Sequence, residues 1–391
     1  MEFLRLLFRY YGWVFTPSSN TAYDNVAVGY RSLYGTTGTP STGYQNVAVG
    51  NSTLLKNTSG FYNTAIWHNS LMENTIWTRN TALWSEALML NTTGSYNTAV
   101  WRDALYTNTA GYENSTLGYV SLFLNTTGYY NSAFGNQAMR NNTTGDSNVA
   151  FWRNALRENT IGSNHTALGF ESSKYMNSNG WTTPNVSVGY QALQGGDAVT
   201  YTNNTAYDNV AIGYLSMHWL NGIWSTWYNN STLWNNSLED NTSGYYNAAV
   251  WSLALRRNTS GYRNVAVGFA ALRTQTWSSE NTALGDSSLY QTTTWYRNTA
   301  VWASSLAGNL GGSWNVAMGL SSLYRNTNWS NHTAIWYQSA FQIVTTGWTQ
   351  PNTALWYQAL YGWSGTASAN TAYDNVAIWY QALYGITWTP S

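Results

Sequence analysis

NTAVWRDALYTNTAGYE, from Asn97 to Glu113, decides how the whole chain is read. The next copy starts at Asn114, and others lie on both sides. Numbered from its first residue, a copy carries Asn at position one and Ala at three. Position four is apolar, position five is Gly or Trp, and position nine is Leu. Such a period implies stacked coils, because one unit of this size cannot bury its apolar residues alone. Twenty copies begin at Asn25, Asn46, Asn63, Asn80, Asn97, Asn114, Asn131, Asn148, His165, Asn185, Asn209, Asn230, Asn247, Asn264, Asn281, Asn298, Asn315, His332, Asn352 and Asn375. Most spacings are 17 residues; six run from 20 to 24.

The longer spacings recur in their turn. The phrase TAYDNVA stands at Thr21–Ala27, Thr205–Ala211 and Thr371–Ala377. A block of coils has therefore been duplicated. The organisation expected is an N-terminal cap or non-native leader (1–20), a first block of coils (21–208), a second, duplicated block (209–374) and a terminal, truncated coil (375–391). Longer coils at corresponding places put loops on the same sides. Those loops, 176–184, 195–204, 219–228, 343–350 and 362–369, are the candidate binding loops. The opening MEFLRLLFRYYGWVF is apolar, but Arg5 and Arg9 interrupt it, which makes a poor signal peptide. No run approaches the roughly 20 apolar residues of a membrane helix, so no direct membrane insertion is expected.

Composition narrows the function. Charged residues are only 8%, and 16 Lys plus Arg balance 16 Asp plus Glu. Nucleic acid demands a basic face, so that partner is not expected. With no cysteine, disulfides and thiolate–metal sites are excluded.

The coil reads as β structure. Gly, Asn and Thr recur in every copy, and helices avoid them. Segments such as Asn91–Tyr96 are turn chemistry, where Gly is expected to supply positive φ. Position four is apolar in all twenty copies, as at Val28, Ile66, Leu83, Phe134 and Met318, and is read with position nine as an inward column. Side chains alternate faces along a strand, so both face inward only if a bend lies between them. Position-one Asn residues stack as an amide ladder. The expected fold is an all-β parallel β-roll, a β-solenoid of about 20 coils. At about 4.8 Å per coil it makes a rod on the order of 95 Å long.

The phrase N-[TV]-A-[VIL]-G resembles the head repeat of YadA-type trimeric autotransporter adhesins. It stands at Asn46–Gly50, Asn209–Gly213 and Asn281–Gly285. The longer pattern with its NTTG turn is similar to repeats in phage tail-fibre shafts. The resemblance runs from about Thr21 to the C-terminus. It implies a homotrimer, a bacterial cell surface or phage virion as the location, and a host-surface glycan or matrix protein as the ligand. The period here is longer than in those heads, so the corners must differ. No coiled-coil stalk, membrane-anchor barrel or chaperone domain is seen in the sequence.

Position five is Gly in ten copies and Trp in ten: Trp67, Trp84, Trp101, Trp152, Trp234, Trp251, Trp302, Trp336, Trp356 and Trp379. The turn slot three residues before a copy shows the same swap. Gly60, Gly94 and Gly111 stand where Trp77, Trp227, Trp295 and Trp329 stand elsewhere, and Gly38 corresponds to Trp388. No packing site accepts the smallest and largest side chains alike. Two readings are open. In one, the Trp residues form an exposed aromatic ladder for sugars, with Trp67, Trp84, Trp101, Trp234, Trp251 and Trp302 as candidate ligand-binding residues. In the other, the residues are glycine, encoded by UGA in an organism that reads UGA as Gly.

Catalytic chemistry is hard to find. His165 and His332 replace Asn at position one and belong to the ladder; His68 and His218 are isolated. Asp24, Asp208 and Asp374 recur as junction-loop residues, where Asx turns account for them. Glu73, Glu86, Asp103, Glu113, Glu158, Glu171 and Asp240 show no spacing that suggests acid–base work or a metal. No catalytic, metal or cofactor residue is assigned, and N-x-[ST] sequons such as Asn57 and Asn91 arise from composition. The expectation is a non-enzymatic extracellular fibre or adhesin segment, a rigid head or shaft. A lectin-like solenoid using stacked Trp and Tyr, or a tail-spike depolymerase using paired carboxylates, is the alternative.

Overall fold

The computed structural model describes residues 23–35, 42–176, 184–195, 206–218, 227–291, 296–326, 330–341, 351–361 and 375–384. The opening segment, Trp295, Trp329, Trp388 and most of the candidate binding loops lie outside them. The chain is all-β, with 20 short parallel strands forming a β-solenoid of about 17-residue turns, and no described residue is helical. It divides into two compact units, Met1–Thr183 and Pro184–Ser391. The first holds β1 (Val26–Val28) to β9 (Thr166–Leu168), the second β10 (Val186–Val188) to β20 (Val376–Ala377).

Each strand covers positions two to four of its copy, except β20, which covers two and three. Within each unit a strand pairs with the next in register, position on position. Thr98, Ala99 and Val100 lie against Ser115, Thr116 and Leu117. In the second unit Ala248, Ala249 and Val250 lie against Val265, Ala266 and Val267. The pairing continues beyond the strands. Trp101 N–H donates back to Leu83 O (3.1 Å), while Leu105 N–H donates forward to Ser121 O (3.0 Å).

The inward columns are positions three and nine, not four and nine. Ala99, Ala133, Ala249 and Ala283 are fully buried, as are Leu105, Leu122, Leu255 and Leu289. Position four points out: Val28 is 54% exposed, Leu117 45% and Phe151 48%. The buried Asn at position one fixes this. Alternation then places one and three inside, two and four outside. Three and nine also differ by an even number, which removes the parity conflict. Each buried Leu contributes about 1.5–3 kcal/mol from area removed from water.

The amide ladder forms as expected. Asn63 donates its backbone N–H to Asn46 Oδ1 (3.0 Å), and Asn46 Nδ2 donates to Gly60 O (2.8 Å). A second ladder runs at position twelve. Asn108 Nδ2 donates to Asn91 Oδ1 (2.8 Å) and Asn125 Nδ2 to Asn108 Oδ1 (2.8 Å). The two ladders converge on the turn-slot carbonyl: Gly94 O accepts from Asn80 Nδ2 (2.9 Å) and Asn91 Nδ2 (2.8 Å).

This convergence corrects the role given to the turn glycines. Gly60, Gly94, Gly111 and Gly128 do not adopt the positive φ expected of them. They are glycine because of crowding: a Cβ at Gly94 would lie 2.7 Å from Asn108 Nδ2. Positive φ falls instead at position five, at seven, at nine and just before position one, as at Trp101, Asp103, Leu105 and Glu113.

Candidate binding surface

Position five lies at the end of each strand, where the chain leaves the sheet. The structure gathers Trp67, Trp84 and Trp101 into one stack, with ring centroids 5.4 and 5.5 Å apart and planes within 8°. Trp234 and Trp251 stack at 5.3 Å. Trp336, Trp356 and Trp379 make a third stack at 5.5 and 6.1 Å. Trp152 and Trp302 have position-five glycines above and below them and join no Trp stack; Trp152 tilts against Phe151. Of the six candidate ligand-binding residues, five therefore sit in stacks and Trp302 does not.

The stacking limits what the ladder offers a sugar. A pyranose packs on the face of an aromatic ring. In the Trp67–Trp84–Trp101 stack both faces of Trp84 are covered by its neighbours, and what it shows to solvent is edge. Trp302, 63% exposed, has open faces.

Tyrosine ladders carry much of the remaining aromatic surface, and their signal was present in the period. Two residues before position one, Tyr207, Tyr228, Tyr245 and Tyr262 stack at 4.9–5.0 Å. Tyr246, one residue later, meets Tyr228 and Tyr245 edge-on. At position ten Tyr324, Phe341, Tyr361 and Tyr384 stack at 5.0–5.2 Å. Each such pair adds about 0.5–1.5 kcal/mol beyond its burial.

The histidines behave as ladder members. His332 Nδ1 accepts the backbone N–H of Asn352 (3.1 Å), the task Asn Oδ1 performs elsewhere. His165 N–H donates to Asn148 Oδ1 (2.9 Å). Burial pushes both imidazoles down to about 4, so both are neutral at pH 7. Burial also lowers His218, against the pull of the Glu239 carboxylate.

Several carboxylates pair with a cation one coil away: Glu73 with Lys56 (2.6 Å), Glu239 with Arg256 (2.8 Å), Glu280 with Arg297 (2.6 Å). Burial raises Asp240, with the Glu239 carboxylate adding to it. Among the described residues no group of three or more His, Asp or Glu is placed to hold a metal ion. No helix among them is long and apolar enough to cross a membrane. The sequon residues Asn57 and Asn91 are fully buried in the position-twelve ladder, closed to a glycosyltransferase in the folded chain.

No protein-family model matches this chain, and no curated protein matches it either.

Proposed function

We propose that the chain is a non-enzymatic extracellular fibre or adhesin segment, a rigid repeat head or shaft that mediates attachment. In this reading it stands on a bacterial cell surface or a phage virion and assembles as a homotrimer. The observation that carries it is what the recurring polar and aromatic side chains do. Asn, Tyr and the position-one His residues bond to their own copies one coil away. Such side chains build stiffness along the stack rather than a reaction centre. The half-exposed apolar columns at position four, with Leu117 and Phe151 in the first unit and Val267 and Met318 in the second, give each unit a face suited to lateral packing against an identical chain. The resemblance to adhesin heads and tail-fibre shafts points the same way.

Two measurements test the reading. Light scattering of the purified chain is expected to give the mass of three copies; a well-ordered monomer would count against the adhesin analogy. On glycan arrays and matrix-coated surfaces the protein is expected to be retained without release of new reducing ends. Polysaccharide hydrolysis would overturn the non-enzyme assignment. Binding that disappears in Trp101→Gly and Trp251→Gly would favour the aromatic ladder over the loops.

A further inference from the structure

The coil contains its own control for what a residue at positive φ can be. Three positions per coil adopt left-handed backbone with ordinary side chains: the residue before position one, position seven and position nine. Their φ lies between 46° and 66°, inside the small left-handed well open to L-residues. Occupants vary freely there. Tyr62, Arg79, Glu113 and Ser147 share the first; Asn69, Asp103, Val120 and Gln137 share the second.

Position five is different in kind. At nine of its ten glycines φ runs from 131° to 151°, beyond that well and in a region that glycine alone enters freely. Only one other residue type ever stands there, and it is Trp. Eight of the ten tryptophans are held at φ from 82° to 117°, and Trp356 at 148°. The site is also closed by the neighbouring coil. A Cβ at Gly213 would lie 2.6 Å from the carbonyl carbon of Trp234, and one at Gly118 2.5 Å from that of Gly135. Such contacts refuse alanine, and still more the bulkiest side chain.

The turn slot shows the same Gly-to-Trp swap but is less strict, since it also takes Ala206 and Ser278, whose carbonyls accept from Asn185 Nδ2 (2.9 Å) and Asn264 Nδ2 (2.9 Å). There φ is ordinary, and the obstacle is the pair of Asn ladders. A Cβ at Gly60 would lie 2.6 Å from Trp77 O, and one at Gly244 2.6 Å from Asn258 Nδ2. Trp77 and Trp227 occupy this slot, and their carbonyls accept the ladder amides as the glycine carbonyls do, from Asn63 Nδ2 (2.9 Å) and Asn209 Nδ2 (3.1 Å). Trp227 is buried, with its indole N–H unpartnered. Desolvating a donor without an acceptor is unfavourable.

Mutation and selection do not produce a two-letter alphabet of Gly and Trp at position five, where the backbone suits glycine alone. A codon does. We infer that the ten position-five tryptophans, with Trp77 and Trp227, are glycine in the protein its organism makes, each encoded by UGA and decoded there as Gly. Every coil then has glycine at position five, and the indole stacks are absent. The neighbouring position-four column is left as an open apolar face, the face on which the proposed lateral packing rests. The inference itself does not depend on that packing.

Three readouts test it. The gene is expected to carry UGA at these twelve positions; UGG at most of them overturns the inference. Peptide mass mapping of the protein purified from its source cells is expected to find Gly; Trp in those peptides overturns it. For folding, the chain as written is compared with the variant carrying Trp→Gly at all twelve sites. The glycine variant is expected to melt higher, by roughly 1–3 °C for each site relieved. A lower melting temperature would show that the indoles stabilise the coil and would sink the idea. Oligomer mass is recorded on the same samples. A monomeric glycine variant with a raised melting temperature removes the trimer proposal and leaves this inference standing.

Discussion

Replacing Asn125 by Asp changes one atom in the position-twelve ladder and should cost more than removing the side chain. Asn125 is fully buried. Its Nδ2 donates to Asn108 Oδ1 (2.8 Å) and Gly128 O (2.9 Å), and its Oδ1 accepts from Asn142 Nδ2 (2.9 Å). In Asn125→Asp an oxygen replaces Nδ2 and faces two oxygens at those distances. An ionised carboxylate without a partner there costs about 3–5 kcal/mol. Protonation is the way out, and at pH 7 it costs about 4 kcal/mol from a reference pKa near 3.9. The acid then restores one donor bond of two, leaving a further loss of about 1–3 kcal/mol. The folded chain takes the cheaper route, so the expected total is about 3–5 kcal/mol at pH 7. The folded-state pKa of the new acid is raised, so the penalty shrinks as pH falls toward the unfolded value. At pH 4 about 1–3 kcal/mol remains. Asn125→Ala leaves Asn108 Oδ1 without its donor, while Gly128 O keeps Asn114 Nδ2 (2.9 Å). That variant should lose about 2–4 kcal/mol, equally at both pH values. Denaturant unfolding of both variants and the parent at pH 7 and pH 4 measures these differences, and the parent's own pH dependence cancels. In a stack of coils the damage is local, so hydrogen exchange at the Leu105 and Leu122 amides should report it first. An Asp variant within about 1 kcal/mol of the parent at pH 7 would refute the ladder as a set of desolvated, obligatory bonds.

Three further outcomes are expected. Gly118→Ala should destabilise by at least about 1–3 kcal/mol in denaturant unfolding, because its Cβ meets the Gly135 backbone; a neutral result would remove the crowding argument. Acidification should destabilise the parent through His165 and His332, whose folded pKa lies near 4 against 6.5 unfolded. Their contribution, roughly 3 kcal/mol for each, is complete above pH 6.5, is lost as pH falls through that window, and is gone below about 4. The double variant His165→Asn, His332→Asn should flatten that loss in pH-dependent melting. At concentrations low enough to keep the chain monomeric, Leu117→Asp at position four should leave unfolding within about 0.5–1 kcal/mol of the parent, whereas Leu122→Ala at position nine should cost about 2–5 kcal/mol; equal losses would restore the inward position four.

The period made the architecture legible, since twenty aligned copies can only stack. It also exposed the Asn ladder at position one and the column at position nine. The column at position four was misread because Val, Leu and Phe carry more apolar weight than Ala. The core between the sheet and the Leu column takes a small side chain at position three, Ala in most coils and Ser187, Thr116 or Thr232 in others, so Ala99 is inside and Val100 outside. The conflict in parity between four and nine was the available warning. The second ladder, at Asn91, Asn108 and Asn125, was hidden inside a segment that also reads as a turn. The left-handed residues were beyond sequence reasoning: a Leu at φ near 50°, as at Leu105 and Leu122, has no signature of its own. On the surface, the gathering of Trp67, Trp84 and Trp101 followed from register. The covering of their faces depends on ring orientation, which the sequence does not contain.

Stacking in register also accounts for the composition. Each side chain at a given position sits about 4.8 Å from its copy in the next coil. A charge repeated at every coil would make a like-charge column, unfavourable at every step. Residues that bond to their own kind are free of that penalty. An Asn amide donates to an Asn carbonyl, and a Tyr ring stacks on a Tyr ring. This leaves a chain with 8% charged residues and net charge zero. Charges enter few columns; one sign repeats at Arg140, Arg157 and Lys174, and in one column the sign alternates. Arg263, Glu280 and Arg297 occupy the same position in three successive coils, and Glu280 lies 3.7 Å from Arg263 and 2.6 Å from Arg297. The low charge content therefore fits the register. It leaves the polar surface to Asn, Thr, Ser and Tyr, and it removes long-range electrostatics as a means of recruiting a partner. Whatever this surface holds must be held by shape, stacking and hydrogen bonds at short range.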